Sequence, residues 1–412
     1  MSITGIISEY NPFHNGHKYL IEERKKHDPN ALFIAVMSGN FTQRGEIALL
    51  DKWQRAKLAV NNGIDLVIEL PFCFAVRSAE YFAKGGIDLL KKLNIVDTLC
   101  FGSEYTDANL LKTIAAISCG DEFQTLLKNS LKQGISYAAA TSNALASLSN
   151  VSTDLLKAPN TILGIEYLKA NIQLHANLNV DIIQRKQAEH NDLNYQQNFA
   201  SGTAIRHSLY TNNSNFSKLK QVVPKETYTA LQALFESNDY PDLNHLFKTL
   251  LSKIHLSQID DLQKIYGMRE GLEFKFVSAS QNSHSIEEFA AQIKSKRYPL
   301  TNIQRLILYF LLNINKNDMH NFDISGPLYA RILAFNQNGA KILKELKKHS
   351  TIPLINKTTA FLDSKQRFSR KANALEKMLS LDTYATELYR LCFKELQPYG
   401  QDFTTSPYNL LK

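Results

Sequence analysis

Cysteine is scarce in this chain: four residues in 412, Cys73, Cys100, Cys119 and Cys392, with none of the close spacing a zinc site requires. Scattered thiols of this kind read as buried or free side chains in a reducing compartment, not as a disulfide frame. No run of 18 or more apolar residues occurs, so no transmembrane helix is expected. The opening segment MSITGIISEYNPFHNGH lacks the basic-then-apolar build of a signal peptide, and the expected location is cytoplasmic. The G-x-x-x-x-G-K-S/T loop of P-loop enzymes is also missing.

What is present is ordinary in amount but uneven in place. Hydrophobic residues make up 44% of the chain and charged residues 21%, which supports a sizeable core and argues against disorder. The net charge is +8. Residues 1–200 hold 19 Lys and Arg against 20 Asp and Glu, a net of −1; residues 201–412 hold 28 against 19, a net of +9. All the excess positive charge therefore lies in the second half, which fits a polyanionic partner or a solvated basic surface about equally.

The first half alternates short apolar runs with helical patterns. Strands are expected at Ile3–Ser8, Ala31–Met37, Asp65–Leu70, Val96–Phe101 and Val180–Gln184. Helices are expected between them, at about 14–26, 51–62, 78–93 and 161–170, with a further one from about Ser201. This alternation, with continuously apolar strands, predicts an α/β fold: a Rossmann-like parallel sheet covered on both faces. Residues 107–150 read as a helical insertion. Beyond about residue 210 the strand pattern fades and helices dominate, at 223–236, 241–254, 258–269, 285–296, 301–314, 337–348 and 371–394. The expected organisation is a nucleotide-binding catalytic domain over 1–210 and a basic, mostly α-helical domain over 211–412.

The strongest chemical signal is Asn11-Pro12-Phe13-His14-Asn15-Gly16-His17, between the first strand and the first helix. Ligands of open α/β sheets lie at the carboxyl ends of strands, and a helix start there offers free N–H groups and a positive dipole end. His14 and His17, three apart, can face one side of the first turn. Two imidazoles there can bind phosphate oxygens and stabilise charge developing at an α-phosphate. Gly16 lets a nucleotide approach the backbone. A second signal is Ser201-Gly202-Thr203-Ala204-Ile205-Arg206. Its hydroxyls at Ser201 and Thr203 can cap a helix or bind phosphate, and Arg206, one turn in, can reach a β- or γ-phosphate through its planar fork. By themselves these residues also suit a capped helix with a surface arginine.

Together the two segments resemble the HIGH-type nucleotidyltransferases, which carry H-x-G-H early and an S-S/G-T-x-I-R segment late. The longer run Gly5-Ile6-Ile7-Ser8-Glu9-Tyr10-Asn11-Pro12-Phe13-His14-Asn15-Gly16-His17 resembles the tRNA(Met) cytidine acetate ligase family more specifically. So do MSGNFTQRGEIALLDKWQRAKLAV at 37–60, DLVIELPF at 65–72, FGSE at 101–104, PNTILGIEYLKA at 159–170, IIQR at 182–185 and KSKRYPLTNIQRLIL at 294–308. The resemblance implies an ATP site along Ile7–Leu20, which includes Lys18, Tyr19 and Leu20, with single contacts from Gly102, Asn160 and Arg185. It also implies the reaction: acetate is activated by ATP as acetyl-adenylate, and the acetyl group passes to N4 of the wobble cytidine of elongator tRNA(Met). Two rival readings share the motif: a cofactor adenylyltransferase, and a non-catalytic RNA-binding protein with a nucleotide pocket.

Mg2+ is expected with ATP. Glu9, Asp51, Glu69 and Glu104 are candidates to hold it through water, though each also suits a helix cap or an ion pair. In the basic half three clusters stand out: Lys294, Lys296, Arg297 and Tyr298; Lys341, Lys344, Lys347 and Lys348; and Lys365, Arg367, Phe368, Arg370 and Lys371. Cations there can bind phosphate backbone and aromatics can stack bases. The expected tRNA-binding residues are Lys294, Lys296, Arg297, Lys344, Lys348, Arg367 and Arg370, against the alternative of solvated helix faces.

Overall fold

Five apolar runs of the first half form the parallel strands expected of them. In the computed structural model, which describes residues 2–135, 137–149, 154–186, 198–211, 216–363, 365–368 and 373–411, these are β1 (Ser2–Ser8), β2 (Ala31–Ser38), β3 (Leu66–Leu70), β4 (Thr98–Ser103) and β5 (Asn179–Gln184). Their order is β5-β4-β1-β2-β3. Sheet growth therefore reverses at β1, which pairs with β2 on one edge and β4 on the other. A crevice opens at such a reversal, beyond the carboxyl ends of the two diverging strands.

Alternate residues of each strand enter two separate cores. Ile3, Ile7, Ile34, Val36, Leu66 and Ile68 pack on one face; Ile6, Phe33, Ala35, Met37 and Val67 pack on the other. The side-chain period of two produces this division, and burial on both faces is why these strands read as unbroken apolar runs. Helices α1 (Asn15–His27) and α2 (Lys52–Asn61) cover the second face through Ile21, Trp53 and Leu58. The helix Ala79–Leu93 covers the first through Phe82, Ile87 and Leu90. The expected helical insertion is three helices, Ala108–Cys119, Asp121–Lys132 and Tyr137–Leu148. Among the described residues no helix is long and apolar enough to cross a membrane.

The second half is mostly helical, as expected, but contributes strands that were not. Ala330–Phe335 (ARILAF) forms β6, antiparallel to β3, and short strands β7 (Leu354–Ile355) and β8 (Tyr408–Asn409) pair in turn with β6. The sheet thus draws on both sides of the boundary expected near residue 210. The run escaped recognition because six residues among helices, five apolar and one arginine, carry no period of their own. Helices Leu272–Asn282 and Lys316–Ser325 also lie outside the expected ranges.

Charge holds β6 in place. Arg331 lies opposite Glu69 in the β3–β6 register and contacts its carboxylate at 3.3 Å. Arg331 also meets Asp402 at 2.6 Å, and Lys52 of α2 bridges Glu69 and Asp402 at 2.8 Å each. All four side chains are at most 4% exposed. Desolvated charges of this kind are stable only as a complete set, since removing one partner strands another in low dielectric.

Candidate active site

The segment after β1 turns sharply at the sheet's reversal point, with Tyr10 in the left-handed region at φ 47° and a cis Asn11–Pro12 peptide. Two side chains hold it there. Asn11 donates to the Ile47 carbonyl at 3.4 Å and accepts the Leu49 N–H at 2.9 Å. Arg55 of α2, fully buried, donates to the carbonyls of Glu9, Ser38, Gly39 and Leu50, tying together the carboxyl ends of β1 and β2.

His14 and His17 then cap α1 reciprocally. His14 Nδ1 accepts the Gly16 N–H at 3.1 Å, and His17 Nδ1 accepts the His14 N–H at 3.2 Å. Their rings stack with centroids 3.8 Å apart. Each Nδ1 serves as an acceptor, so the proton of each neutral ring is on Nε2. Burial, reinforced by Arg185 and Arg206, lowers His14 from the usual 6.5 to about 3. Burial, then His14 and Arg185, hold His17 well below its usual value. Both rings are therefore neutral N–H donors at physiological pH. Gly16 has a local reason beyond ligand approach: a Cβ there would meet the His14 ring at 2.9 Å.

These rings line a cavity of about 390 Å³, within the range of small-ligand sites. Ile7, Ser8, Glu9, Tyr10, Asn11, Pro12, Leu20, Gly102, Asn160, Arg185, Ser201, Thr203 and Arg206 line it too, brought from five separate stretches of sequence. Ser201 caps the helix Gly202–Thr211 by accepting the Ala204 N–H at 3.0 Å. Arg206, one turn on, donates to the Asn11 carbonyl at 2.7 Å and to Glu46 at 2.6 Å. Gly202 packs against the turn after β1, where a Cβ would be 3.0 Å from the Asn11 carbonyl oxygen.

Five expected contacts point elsewhere. Phe13 is fully buried against Tyr10 and His17. Asn15 donates to the carbonyls of Asn198 and Gln221. Gly16, Lys18 and Tyr19 are absent from the lining; Lys18 is exposed, and Tyr19 packs on Phe199 under the Lys186 ammonium. Residues i, i+1 and i+2 of a helix cannot share one face, so a contiguous motif cannot supply a contiguous wall.

Among the magnesium candidates, Asp51 caps α2 and Glu69 belongs to the buried ionic set. Glu104 caps the helix Pro159–Gln173 through the N–H and side chains of Asn160 and Thr161. Glu9 alone of the four lines the cavity. Its Oε1 accepts the Gln43 N–H at 2.7 Å, and burial raises its carboxyl above the usual range. No group of three or more His, Cys, Asp or Glu side chains with metal-ligand placement occurs among the described residues.

Gln43, Arg44, Glu46, Phe82, Phe101 and Tyr167 also line the cavity and were not picked out individually. The first three lie in the turn Phe41–Ile47, whose ends form an isolated antiparallel bridge. The helix Leu300–Leu311 of the second half docks on this turn: Arg305 donates to the Gln43 carbonyl at 3.3 Å, and Gly45, at φ 80°, comes so close that a Cβ would be 2.8 Å from the Arg305 nitrogen.

The basic clusters divide. Lys294, Lys296 and Lys344 are exposed. Arg297 pairs with Glu270 at 2.7 Å, and Lys348 with Glu345 at 2.8 Å. Tyr298 is a buried side chain whose hydroxyl donates to Glu270. Arg367 is only 2% exposed: it donates to the Tyr399 hydroxyl and lies against the rings of Phe368, Tyr384, Tyr399 and Phe403. That burial corrects its expected place on a phosphate-binding surface. Phe368 is 72% exposed. Arg370 lies outside the described residues.

Comparison with known proteins agrees with the geometry. The sequence model of the HIGH nucleotidyl transferase family matches residues 1–403. The tRNA(Met) cytidine acetate ligase of Halothermothrix orenii is 38% identical over 409 residues, covering 96% of each chain. That of Alkaliphilus metalliredigens is 39% identical over 99% of each. Two crystal structures of Thermotoga maritima TmcAL superimpose over the full length of both chains. The apo form does so with TM-score 0.90 at 31% identity, and the form bound with alpha-thio ATP with TM-score 0.88 at 30% identity.

Proposed function

This chain belongs to the tRNA(Met) cytidine acetate ligase family, and on that premise we propose that it activates acetate with ATP and transfers the acetyl group to N4 of the wobble cytidine of elongator tRNA(Met) in the cytosol. One observation carries the reading: two stacked, neutral, Nε2-protonated histidines line a cavity at a helix start, at the reversal point of the sheet.

In the first step an acetate oxygen attacks the α-phosphorus and pyrophosphate leaves. Negative charge accumulates on the non-bridging oxygens, where two fixed N–H donors and the helix dipole stabilise it more than in the ground state. The donors are already oriented by their capping bonds, so little reorganisation accompanies the reaction. Arg206 is placed for the departing phosphates, and nucleotide would replace Glu46 as its anionic partner. Gly102, at the end of β4, and Asn160, at the start of the helix that follows, are suited to the adenosine, and Arg185, after β5, to phosphate. Mg2+ fits as an ion carried on the phosphates and its own waters, since it favours phosphate oxygens and retains water in preference to an all-protein cage. In the second step the cytosine amine attacks the acetyl carbonyl and AMP leaves. The exposed cations Lys294, Lys296 and Lys344 are candidates for tRNA phosphate contacts.

The test is incubation with ATP, labelled acetate and bulk tRNA, followed by nucleoside analysis, alongside acetate-dependent ATP–pyrophosphate exchange without tRNA. Label in N4-acetylcytidine supports the reading. Absence of exchange across short carboxylic acids, with or without tRNA, favours nucleotidyl transfer to a phosphorylated small molecule.

A further inference from the structure

Transfer of an acyl group to the exocyclic amine of cytosine needs a proton acceptor. The lone pair of that nitrogen is delocalised into the ring, and attack leaves a cationic nitrogen that must lose a proton before AMP can depart productively. The cavity offers few groups for this. His14 and His17 are excluded by their hydrogen bonds: each uses Nδ1 to accept a backbone N–H, so each presents only an N–H to the ligand. Glu46 pairs with Arg206 at 2.6 Å, and that pair is restored for the second step once pyrophosphate has left Arg206. Arg44, Arg185 and Arg206 are cations. Among the described residues, Glu9 is the one cavity-lining carboxylate outside an ion pair.

The surroundings of Glu9 fit the role. It follows directly on β1, at the reversal point and five residues before His14, so it borders the space where the α-phosphate would lie. Its backbone carbonyl is gripped by Arg55, and its Oε1 by the Gln43 N–H at 2.7 Å. The second oxygen has no hydrogen-bond partner among the described residues. Nearby, Tyr167 is 97% buried (3% exposed) and packs on Phe101 at 5.6 Å, yet its hydroxyl, which feels the Glu9 charge, also has no partner among the described residues.

We propose that Glu9 is the general base of acetyl transfer. The step balances without another reactant. The cytosine N4 lone pair forms the N–C bond to the acetyl carbon, an N4 proton passes to the free Glu9 oxygen, and the C–O bond to the phosphate breaks with its electron pair remaining on AMP. Glu9 afterwards loses its proton to water. Burial and Glu46 raise the Glu9 carboxyl, while the Gln43 N–H, Arg206 and Arg44 lower it; the net is upward, toward the pH at which a base is most effective.

This inference rests on the proposed reaction, and the test separates the two. Glu9→Gln keeps an acceptor for the Gln43 N–H but cannot take a proton. Acetate-dependent ATP–pyrophosphate exchange and single-turnover formation of acetylcytidine are measured on the same preparations. Transfer is expected to fall about 100-fold or more beyond any fall in exchange, the range of general base catalysis, with acetyl-adenylate accumulating. Glu9→Asp should recover part of the transfer. The rise of the wild-type transfer rate with pH should be missing in Glu9→Gln. Equal losses in both half-reactions, or an unchanged ratio of transfer to exchange, would overturn the assignment of the base. A wild-type enzyme that exchanges pyrophosphate but acetylates no tRNA would overturn the proposed reaction, and this inference with it.

Discussion

The cavity and the basic half use their cations in opposite ways. Arg55 and Arg206 are held by carbonyls and a carboxylate, so their charges are part of the geometry. Lys294, Lys296 and Lys344 extend into water. Positive charge at the cavity is structurally committed, whereas exposed lysines such as these are bound to nothing the fold requires. Net charge by segment therefore says nothing of where chemistry occurs.

The contrast is broken most severely at the seam between the two halves. Arg331→Ala would leave Glu69 and Asp402 buried against Lys52 alone, and stability should fall by about 3–5 kcal/mol in urea unfolding. A loss under 1 kcal/mol would mean that β6 is held by packing alone.

Next come the histidines. His14→Ala or His17→Ala should lower pyrophosphate exchange about 100- to 1000-fold, well beyond any loss of ATP affinity. His14→Ala should also cost about 1 kcal/mol of stability through the lost helix cap. Near-wild-type turnover in both variants would remove the histidines from the chemistry.

Acidification tests the same rings. The folded His14 refuses a proton down to about 3, while the unfolded chain accepts one near 6.5. The unfolded state thus binds more protons in that window, and stability should fall as the pH drops from about 6.5 toward 3. His14→Gln should flatten the decline of melting temperature with pH; an identical slope would mean that other groups carry it.

The smallest effects belong to the surface. Lys294→Ala with Lys296→Ala should flatten the slope of log tRNA affinity against log salt by roughly one to two units, at about 0.7–0.9 per phosphate contact. Lys348→Ala, already paired with Glu345, should change it less. Exchange should be nearly unaffected by either change. If the double variant leaves the slope unaltered, these lysines are solvated helix faces.

Most of the sheet was legible because β1 to β4 are buried, largely apolar runs between helices, and periodicity reports burial directly. The H-x-G-H and S-G-T-x-I-R segments were legible because helix starts need capping residues whatever else they do. Gln43, Arg44 and Glu46 were present only inside a longer matching stretch, since a seven-residue turn has no pattern that says which cavity it borders. Arg367 misled for a related reason: sequence shows it among cations, but only the fold shows that four rings enclose it.

The sequence by itself determined the parallel strand–helix units, the two helix-start motifs and the charge asymmetry, because local periodicity, capping and composition act over a few residues. Only the tertiary structure decided that β6 completes the sheet and that Arg305 braces the turn at the cavity. It alone also decided that Glu9 lines the cavity outside an ion pair, with one oxygen held by the Gln43 N–H. Those outcomes depend on which buried groups satisfy one another across 30 to 300 residues of chain, and a hydrogen bond between distant segments leaves no periodic trace in either of them.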